Sequence, residues 1–442
     1  MFEGKNQNQF ANQFDAEGKM RILDGMRYYK KTKKQNNMPR IVVTLEEPVS
    51  EECLQYATEL ALRRCRIFSF VVIQDDKYFY LKQNTAKPVV HLDDGKQHTV
   101  CTEDNNGYMT WIGYHDCTIS VEMFHGVSDG VGLMYFMQTL LYYYCEKRYG
   151  NVSPDDIPGI KLIDTPEDPR EYADSLLFIT QDEVPATEQY QWESAFQLPE
   201  THMDEEDECQ RYELRVDAKD YEEYVSKMNT SRASVFAAFM NQVIAKCHGI
   251  TENPIVGAMA VNARKAYNAE QTMQCCVATI PVWFDKKVQS MSMEERLKYA
   301  KQMIRGGMQT DNILAKAIGT KKFNQMLDTK YPTLREKQEF CRQITKAGSN
   351  KYTYGISFVG DISFGKGIDE HIAKVVTMLC ANTSPIIIEI VKHKDTYYMT
   401  YCTYLAKDPY VHELQALFEA EGIKCVCEHK ENYVETVAEF GM

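Results

Sequence analysis

The pattern of hydrophobic and polar positions changes period repeatedly along the chain. Residues 40–45 (RIVVTL) form a β-branched run typical of a strand, and residues 67–81 and 108–124 show the alternation expected of two hairpins. Between and after these runs, apolar residues recur every three or four positions, through residues 54–61 and again through residues 130–148. The first part of the chain is therefore predicted to be strand, helix, hairpin, hairpin and long helix.

The second part repeats this mixture of periods. The pattern predicts helices over residues 218–228, 234–247 and 409–421, and strands over residues 210–216, 255–261, 278–284, 355–359, 386–391 and 396–403. No fixed-period repeat is visible. The sequence thus predicts a mixed α/β protein with two lobes of comparable make-up.

The 442 residues exceed what one ordinary hydrophobic core fills, which also favours two lobes. Residues 164–209 are acidic and carry several prolines, a composition that resists burial and suits a crossover between lobes. We therefore predict a disordered or loosely docked lead-in over residues 1–20, an N-terminal lobe over 21–163, the acidic crossover over 164–209 and a C-terminal lobe over 210–442.

Composition excludes several classes of partner. The formal net charge of -13 opposes nonspecific attraction to nucleic acid or anionic lipid, because either polyanion is repelled by the average surface. There is no membrane-spanning run, and the polar first residues lack the apolar stretch of a secretory signal. The 14 cysteines are scattered without a C-x-x-C pair, which indicates reduced thiols and a cytoplasmic location.

The most informative motif is His125-Gly126-Val127-Ser128-Asp129-Gly130, between a strand pattern and a helix pattern. A loop at the end of a strand holds side chains on a rigid scaffold, and imidazole is the side chain best suited to proton transfer near neutral pH. His125 with Asp129, and Gly126 with Gly130 in an open turn, are candidate acid/base site residues. In the alternative interpretation, Asp129 is only the N-cap of the following helix and His125 is a satisfied core histidine.

A second alternative uses the same residues. Gly126 to Gly130 also satisfies G-x-S-x-G, the strained turn that exposes a serine nucleophile in α/β-hydrolases. Ser128 would then need an acid and a downstream histidine, for which His371, His393 and His412 are available. The flanking hairpin patterns disfavour this reading, because that fold uses alternating strands and helices in a parallel sheet.

On the H-x-x-x-D-G motif, the chain resembles the chloramphenicol acetyltransferase-like superfamily of CoA-dependent acyltransferases, which includes alcohol acetyltransferases, plant BAHD enzymes and the condensation domains of peptide synthetases. The order of the early strand, the helix ending in Arg63-Arg64-Cys65-Arg66 and the following hairpin is also similar. The resemblance runs from about residue 40 onward, with one specific motif. It implies two lobes of related topology, each a mixed sheet flanked by helices.

Two departures bear on the subfamily. Phe124 stands where condensation domains usually carry a first histidine, which favours a stand-alone acyltransferase. The D-F-G-W-G box of plant enzymes is absent, and Gly360-Asp361-Ile362-Ser363-Phe364-Gly365 is only loosely similar to it.

The resemblance implies that His125 lies in the middle of a tunnel between the lobes, with acyl donor and acceptor entering from opposite ends. It also implies that Asp129 orients the turn by pairing with a structural arginine, for which we predict Arg66 or Arg64. Asn262 and Arg264 resemble an N-x-R segment that shapes the tunnel or anchors the lobes, although a surface arginine at a strand end explains them equally well.

If the resemblance holds, a neutral His125 removes the proton of an attacking hydroxyl or amine. The tetrahedral oxyanion needs a fixed donor, and Ser357 is a candidate, although it is equally an ordinary strand serine. For CoA phosphates, residues 316–322, with Lys321 and Lys322, and residues 346–351 are local basic stretches, although most such runs are solvated surface.

No metal is expected. Cys425, Cys427 and His429 alternate along a predicted strand, but period two is not the usual zinc spacing and a fourth ligand is missing. The sequence therefore favours a cytoplasmic acyltransferase with acyl-CoA as co-substrate, no tightly bound cofactor, an alcohol or amine acceptor and an acyl carrier protein as a further candidate partner. The alternative is a catalytically silent member that binds a ligand or carrier protein. Acceptor, acyl length, donor carrier and oligomeric state stay open.

Overall fold

The computed structural model describes residues 10, 13–30, 38–150, 152–157, 159–185, 187, 194–200, 209–379 and 384–433. Its strands, in chain order, are β1 (Lys19–Arg21), β2 (Arg40–Leu45), β3 (Phe70–Gln74), β4 (Phe79–Gln83), β5 (Val90–Leu92), β6 (Thr110–His115), β7 (Thr118–Met123), β8 (Cys209–Asp217), β9 (Ile255–Asn262), β10 (Val277–Phe284), β11 (Tyr354–Asp361), β12 (Ile372–Met378), β13 (Ile386–His393), β14 (Thr396–Thr403) and β15 (Cys425–Tyr433).

Its α-helices, in chain order, are α1 (Met26–Tyr29), α2 (Glu51–Arg64), α3 (Gly130–Tyr149), α4 (Ala218–Lys227), α5 (Arg232–His248), α6 (Arg264–Tyr267), α7 (Lys286–Gln289), α8 (Met293–Gly307), α9 (Thr310–Lys330), α10 (Leu334–Ala347), α11 (Lys366–Asp369) and α12 (Tyr410–Ala420). Short 3₁₀ turns occupy Arg66–Ser69, Pro154–Asp156, Pro169–Tyr172, Ser175–Phe178 and Ser349–Lys351.

The strands form three sheets, and the two larger ones divide the chain into lobes. A five-stranded sheet has the order β12-β2-β7-β6-β5, a seven-stranded sheet has the order β10-β9-β11-β13-β14-β8-β15, and β1-β4-β3 form a small third sheet. The first lobe's sheet therefore includes β12, which comes from late in the chain and pairs antiparallel with β2. Because β12 belongs to the first lobe's sheet while its chain neighbours β11 and β13 belong to the second lobe's sheet, this strand links the two lobes.

Each large sheet buries one face under helices. In the first lobe, Leu54 and Ala57 of α2 and Leu133 and Phe136 of α3 join one buried core with residues of β2 and β7 such as Val43. In the second lobe, α5 and α12 cover the seven-stranded sheet, and Phe236 and Phe418 lie in the core with Leu214 and Ile388. The mixed α/β, two-lobed fold predicted from the sequence is confirmed.

The predicted strands and helices are present with ends shifted by a few residues, the largest difference being that Arg66–Ser69 forms a 3₁₀ turn ahead of β3. The pattern did not predict the strands β1, β5 and β12, the long helices α8, α9 and α10, or the four-residue helices α1, α6, α7 and α11. Of the predicted lead-in, residues 1–9, 11 and 12 lie outside the described residues. Met20, at its end, is 3% exposed and pairs with Leu81 in the small sheet, so this part is docked. The lobe boundaries themselves stay a prediction.

None of the helices in the described part of the chain is both long enough and apolar enough to cross a bilayer.

Candidate active site

The motif turn connects β7 to α3, as the change of hydrophobic period predicts. Asp129 is the N-cap of α3, and its Oδ1 accepts hydrogen bonds from the backbone N–H groups of Val131 (3.1 Å) and Gly132 (3.0 Å). The capping role considered as an alternative is therefore confirmed. Capping alone typically stabilises a helix by about 1 kcal/mol.

The Asp129 carboxylate has a second and stronger partner in the other lobe. Arg264, at the start of α6, donates from Nη1 to Oδ2 and from Nη2 to Oδ1, each at 2.9 Å, and both side chains are almost fully buried. The backbone N–H of Cys276 donates to Oδ2 at 2.7 Å. A bidentate arginine fixes the carboxylate plane as well as neutralising its charge. The turn is thus held from both lobes.

All five N–H donors of the Arg264 guanidinium are used. Those not given to Asp129 go to the carbonyl oxygens of Thr272 (2.9 Å) and Gln274 (2.8 Å) and to Asn262 Oδ1 (3.3 Å). The N-x-R segment singled out in the sequence is therefore in direct contact with the motif. Burial alone would raise the pKa of Asp129, but the charge of Arg264 and the backbone donors outweigh it, so the pKa lies below its ordinary value.

The prediction that Arg66 or Arg64 pairs with Asp129 is wrong. Arg64 is buried but forms its own bidentate pair with Glu171, with distances of 2.6 and 3.2 Å. Arg66 is partly exposed and contacts Glu167 at 3.4 Å. Both arginines belong to the same lobe as the motif, but they lie at and just after the end of α2 and contact Glu171 and Glu167 instead. The partner instead comes from 135 residues farther along the chain.

His125 is half-buried, and its ring orientation is set by the turn. Nδ1 lies 2.8 Å from the carbonyl oxygen of Ser128. Because a carbonyl only accepts, this contact requires the proton on Nδ1 and leaves the lone pair on Nε2. The Sγ atom of Cys275 lies 3.9 Å from the same Nδ1. The nitrogen that remains basic is thus the one not engaged by the turn.

The imidazole is held in its neutral form. Burial, followed by the positive charge of Arg27, lowers the pKa of His125 to about 4. At neutral pH the ring is therefore uncharged and able to accept a proton.

The N-terminal segment covers this side of the motif. The Tyr28 ring packs edge-on against Phe124, with centroids 5.0 Å apart, and a Cβ on Gly126 would meet both rings. Between the segment and the turn lies a cavity of about 10 Å³, lined among others by Arg27, Gly126 and Cys275. That volume holds about one water molecule. At this side of His125, the tunnel that the resemblance implies is filled by the chain's own residues.

Ser128 does not have the setting of a nucleophile. It is fully buried, and its hydroxyl donates a short hydrogen bond to the carbonyl of Met273. Of the three histidines considered for a hydrolase triad, His393 is buried in the second lobe, His371 stacks on Tyr149 and His412 is exposed on α12. The strands before the turn form an antiparallel hairpin rather than a parallel sheet. The geometry therefore disfavours the serine-hydrolase alternative.

We expect Ser128→Ala to retain acyl transfer within about threefold and to lose roughly 1 kcal/mol of stability, the usual contribution of one buried hydrogen bond. Release of free thiol from acyl-CoA and urea denaturation measure the two effects. The wild-type protein should also resist labelling by a fluorophosphonate. Labelling at Ser128 together with a loss of activity above a hundredfold would restore the hydrolase interpretation.

The glycines in and just after the motif differ in whether the structure leaves room for a side chain in their place. Gly130 is exposed, and a Cβ there would meet no atom within 4 Å, so space does not require glycine at this position. Gly132, which the sequence did not single out, is tightly enclosed, because a Cβ would collide with Ser128 Oγ and the Met273 carbonyl. The close approach of the second lobe thus depends on Gly132.

Ser357 lies on β11 and is half-buried, and its hydroxyl bonds to the carboxyl of Glu389 on the neighbouring β13. Burial raises the pKa of Glu389 to about 8. The contacts found for Ser357 in the described chain do not include the motif turn. Its role as oxyanion donor stays a prediction.

The basic stretches lie at the surface of the second half of the chain, with Lys321 partly buried. Lys321 donates to Asp182 (2.8 Å) and to the carbonyl of Ile179 (3.3 Å), and Lys322 is exposed on α9. Lys346 and Lys351 are also exposed. None of these contacts brings them to His125, and phosphate binding there stays a prediction.

Cysteines and metal-type donors behave as structural groups in the described chain. No disulfide forms among its cysteines, and Cys425 is buried on β15 against β8. One cluster, Asp93, Asp94 and His98, has donor atoms within 4.8 Å of one another. There Asp93 pairs with Arg40, and both aspartates accept N–H groups of their own turn.

A larger cavity of about 460 Å³ lies between the two large sheets. Its polar lining includes Arg40 and Ser120 from the first lobe's sheet, Arg211 and Glu213 from β8, and Lys374 from β12. This volume is in the range of small-molecule sites.

Sequence reasoning missed Arg27, Cys275 and Met273 as neighbours of the motif. Arg27 follows the polar lead-in without any motif, and Cys275 was one scattered cysteine among many. These residues come close to the motif turn only through long-range folding, so no local signal could have found them.

No known protein-family profile matches the sequence, and no curated protein matches it. Solved structures do match in fold. The trichothecene 15-O-acetyltransferase TRI3 from Fusarium sporotrichioides superposes with a TM-score of 0.56 at 11% identity, covering 91% of this chain and 93% of that one. TRI101 from F. sporotrichioides, complexed with coenzyme A and T-2, gives 0.57 at 10% identity, covering 92% and 99%.

The epimerization domain from the third module of tyrocidine synthetase B gives a TM-score of 0.57 at 12% identity, covering 93% of this chain and 97% of that one. At such identities the likeness shows the fold alone. The two-lobed fold that the resemblance implies is thus confirmed over nearly the whole chain.

Proposed function

We propose that the protein is an acyltransferase that moves an acyl group from a thioester, with CoA as the carrier, to a hydroxyl or amine acceptor. The observation that carries this proposal is the His125 imidazole, which is neutral, has Nδ1 bonded to the Ser128 carbonyl and keeps a basic Nε2. The fold shared with acetyltransferases supports it.

In the proposed reaction, Nε2 of His125 takes the proton of the acceptor as its oxygen or nitrogen attacks the thioester carbonyl. The tetrahedral intermediate collapses, the carbon–sulfur bond breaks and the proton passes to the departing thiol. General-base catalysis of this kind contributes about 10²- to 10⁴-fold in rate. Asp129 and Arg264 take no proton in this scheme; they hold the turn in place.

Ser357 is the proposed donor to the oxyanion, and Lys321 with Lys322 the proposed contacts of the CoA phosphates. Acyl-CoA acts as a co-substrate, without a tightly bound cofactor, and an acyl carrier protein is an alternative donor carrier. We place the reaction in the cytoplasm.

The test is direct. The purified full-length protein is incubated with acyl-CoAs of graded length, with and without alcohols and amines, and free thiol is followed together with the acylated product. We expect acceptor-dependent thiol release. Absence of release with every donor and acceptor pair would contradict the proposal.

A second candidate function is ligand or carrier-protein binding without chemistry. The observation that favours it is the contrast between two cavities of the described chain, because the 460 Å³ space between the sheets is not lined by His125, whereas the cavity lined by Gly126 of the motif turn has a volume of about 10 Å³. Ligand binding that persists without any thioester turnover would support this second function.

A further inference from the structure

The cavity between the two large sheets has the size of a ligand site and is separate from the residues of the proposed reaction. Its volume is about 460 Å³. One wall comes from β2, β7 and β12 of the first lobe's sheet, and the other from β8, β14 and β15 of the second lobe's sheet. Among the described residues that form these walls, His125 and its contacts Ser128 and Cys275 are absent. A molecule bound there contacts both lobes without touching the proposed base.

The walls carry hydroxyl groups whose hydrogen bonding the protein itself does not complete. Thr400, on β14, is 3% exposed and lines the cavity, and its hydroxyl has no hydrogen bond with any described residue. The half-buried Thr44, on β2 in the facing wall, is likewise unbonded within the described chain. Ser120 is fully buried and accepts a hydrogen bond from Arg40 Nη2 at 3.0 Å, which leaves its own proton to donate. Because buried polar groups are normally hydrogen-bonded, these hydroxyls indicate a polar occupant.

The charged groups of the walls, by contrast, are engaged within the protein. Lys374 Nζ contacts both carboxylate oxygens of Glu213, each at 2.6 Å. Arg40 pairs with Asp93 and with Glu122. The other charged wall groups in the described chain also have partners: Lys430 has Glu428, Asp94 has His98, His115 has Asp116 and Arg211 donates to Met378 Sδ. A ligand with a net charge has to compete with these pairs, and breaking a buried pair is costly.

An apolar ligand does not suit the cavity either. Apart from Val42, Val376 and Met378, the described residues that line it are polar, charged or glycine. Small-molecule sites are usually lined mainly by apolar side chains. An apolar molecule would remove water from the Thr400 hydroxyl and from the ion pairs without replacing its hydrogen bonds, which costs free energy. Each hydroxyl group of a polyol both donates and accepts, so a polyol serves carboxylates, ammonium groups and hydroxyls without bringing a charge.

We propose that this cavity binds a neutral, polyhydroxylated molecule of the size of a sugar, with Thr400, Thr44 and Ser120 among its hydrogen-bonding contacts. The inference goes beyond the proposed acyl transfer and does not rest on it, because His125 does not line the cavity. A ligand that binds only the folded protein also stabilises it, increasingly as the ligand concentration exceeds Kd.

The experiment compares neutral polyols with charged and apolar molecules of similar size. The polyols are glucose, mannose, myo-inositol and sucrose, and the counterparts are glucuronate, glucosamine and cyclohexanol. Each is titrated at millimolar concentration into the full-length protein by calorimetry, and thermal unfolding is followed in parallel. Sugars also stabilise proteins nonspecifically by exclusion from the surface, so only a saturable effect counts as binding.

Three variants locate the site. Thr400→Val removes one hydroxyl and nearly keeps the shape of the side chain, and Thr44→Phe fills part of the cavity. The matched control is Thr396→Val, on the same strand as Thr400 but not among the residues that line the cavity. Circular dichroism and the denaturation midpoint without ligand check that each variant is folded, and Thr400→Val decides alone if Thr44→Phe does not fold.

We expect saturable binding of at least one neutral polyol and weaker binding of the three counterparts. Thr400→Val should lower the affinity for that polyol roughly 3- to 10-fold, the effect of one lost hydrogen bond, while Thr396→Val stays within about twofold. Thr44→Phe should abolish binding. The proposal is overturned if no polyol binds saturably, if a charged or apolar counterpart binds more tightly, or if Thr400→Val keeps the wild-type affinity.

The same titration with His125→Ala separates this inference from the proposed function. We expect His125→Ala to bind the polyol with unchanged affinity, since the imidazole lies outside the walls of the cavity. Because no thioester is needed, polyol binding supports the site even if acyl transfer is never observed. Acyl transfer without any saturable polyol binding would contradict the site and leave the proposed function standing.

Discussion

Replacing His125 with alanine is expected to lower acyl transfer by roughly 10²- to 10⁴-fold. The ring supplies the basic Nε2, and the nearest alternative donors or acceptors on the turn are occupied: Ser128 by the Met273 carbonyl and Asp129 by Arg264. The loss should appear in kcat, because the proton is removed only in the transition state. Product formation from acyl-CoA and acceptor measures it.

The control for this prediction is His412→Ala, which removes an exposed imidazole on α12 and should leave transfer unchanged. We expect His125→Ala to fold, because the half-buried ring makes one hydrogen bond to the turn, with the Ser128 carbonyl. Circular dichroism and the denaturation midpoint check that the variant is folded. If folded His125→Ala keeps the wild-type kcat, the proposed mechanism is wrong.

Removing Arg264 is expected to have the largest effect on stability. Arg264→Gln leaves the Asp129 carboxylate buried without its cation, and breaking a buried pair in this way costs roughly 3 to 5 kcal/mol. The carbonyl oxygens of Thr272 and Gln274 lose donors as well. Arg264→Lys should recover only part of this free energy, since an ammonium group cannot reproduce the bidentate geometry. Urea denaturation measures the differences.

The matched comparison is Arg66→Gln, whose partly exposed pair with Glu167 should contribute about 1 kcal/mol or less. A similar loss of stability in both variants would contradict the assignment of Arg264 as the residue that anchors the turn.

The sequence predicted the parts of the site that depend on local pattern. A strand followed by a helix at residue 130, with Asp129 as the cap, is visible in the change of hydrophobic period and in the residue types. His125 follows from its place in that turn. These features need only neighbours within a few residues, and the structure has them where they were predicted.

The partners of the motif that come from distant parts of the chain could not be predicted from local sequence pattern. Arg64 and Arg66, the predicted partners of Asp129, belong to the same lobe as the motif, whereas the observed pair spans 135 residues and joins the two lobes. Strand β12 has ordinary strand residues, and nothing in them indicates that it joins the sheet of the other lobe. Arg27 likewise comes close to the motif turn only in the folded chain, where it lines one cavity together with Gly126.

The protonation state of His125 is the most direct test of the account. Histidine labelled with ¹⁵N in the full-length protein reports both tautomer and pKa by NMR, and the His125→Gln spectrum assigns the signals. We predict a neutral ring at pH 7 with the proton on Nδ1, titrating near pH 4 rather than near its ordinary value of about 6.5. A ring that carries its proton on Nε2, or that titrates near 6.5, would contradict the claim that this imidazole is held ready as a base.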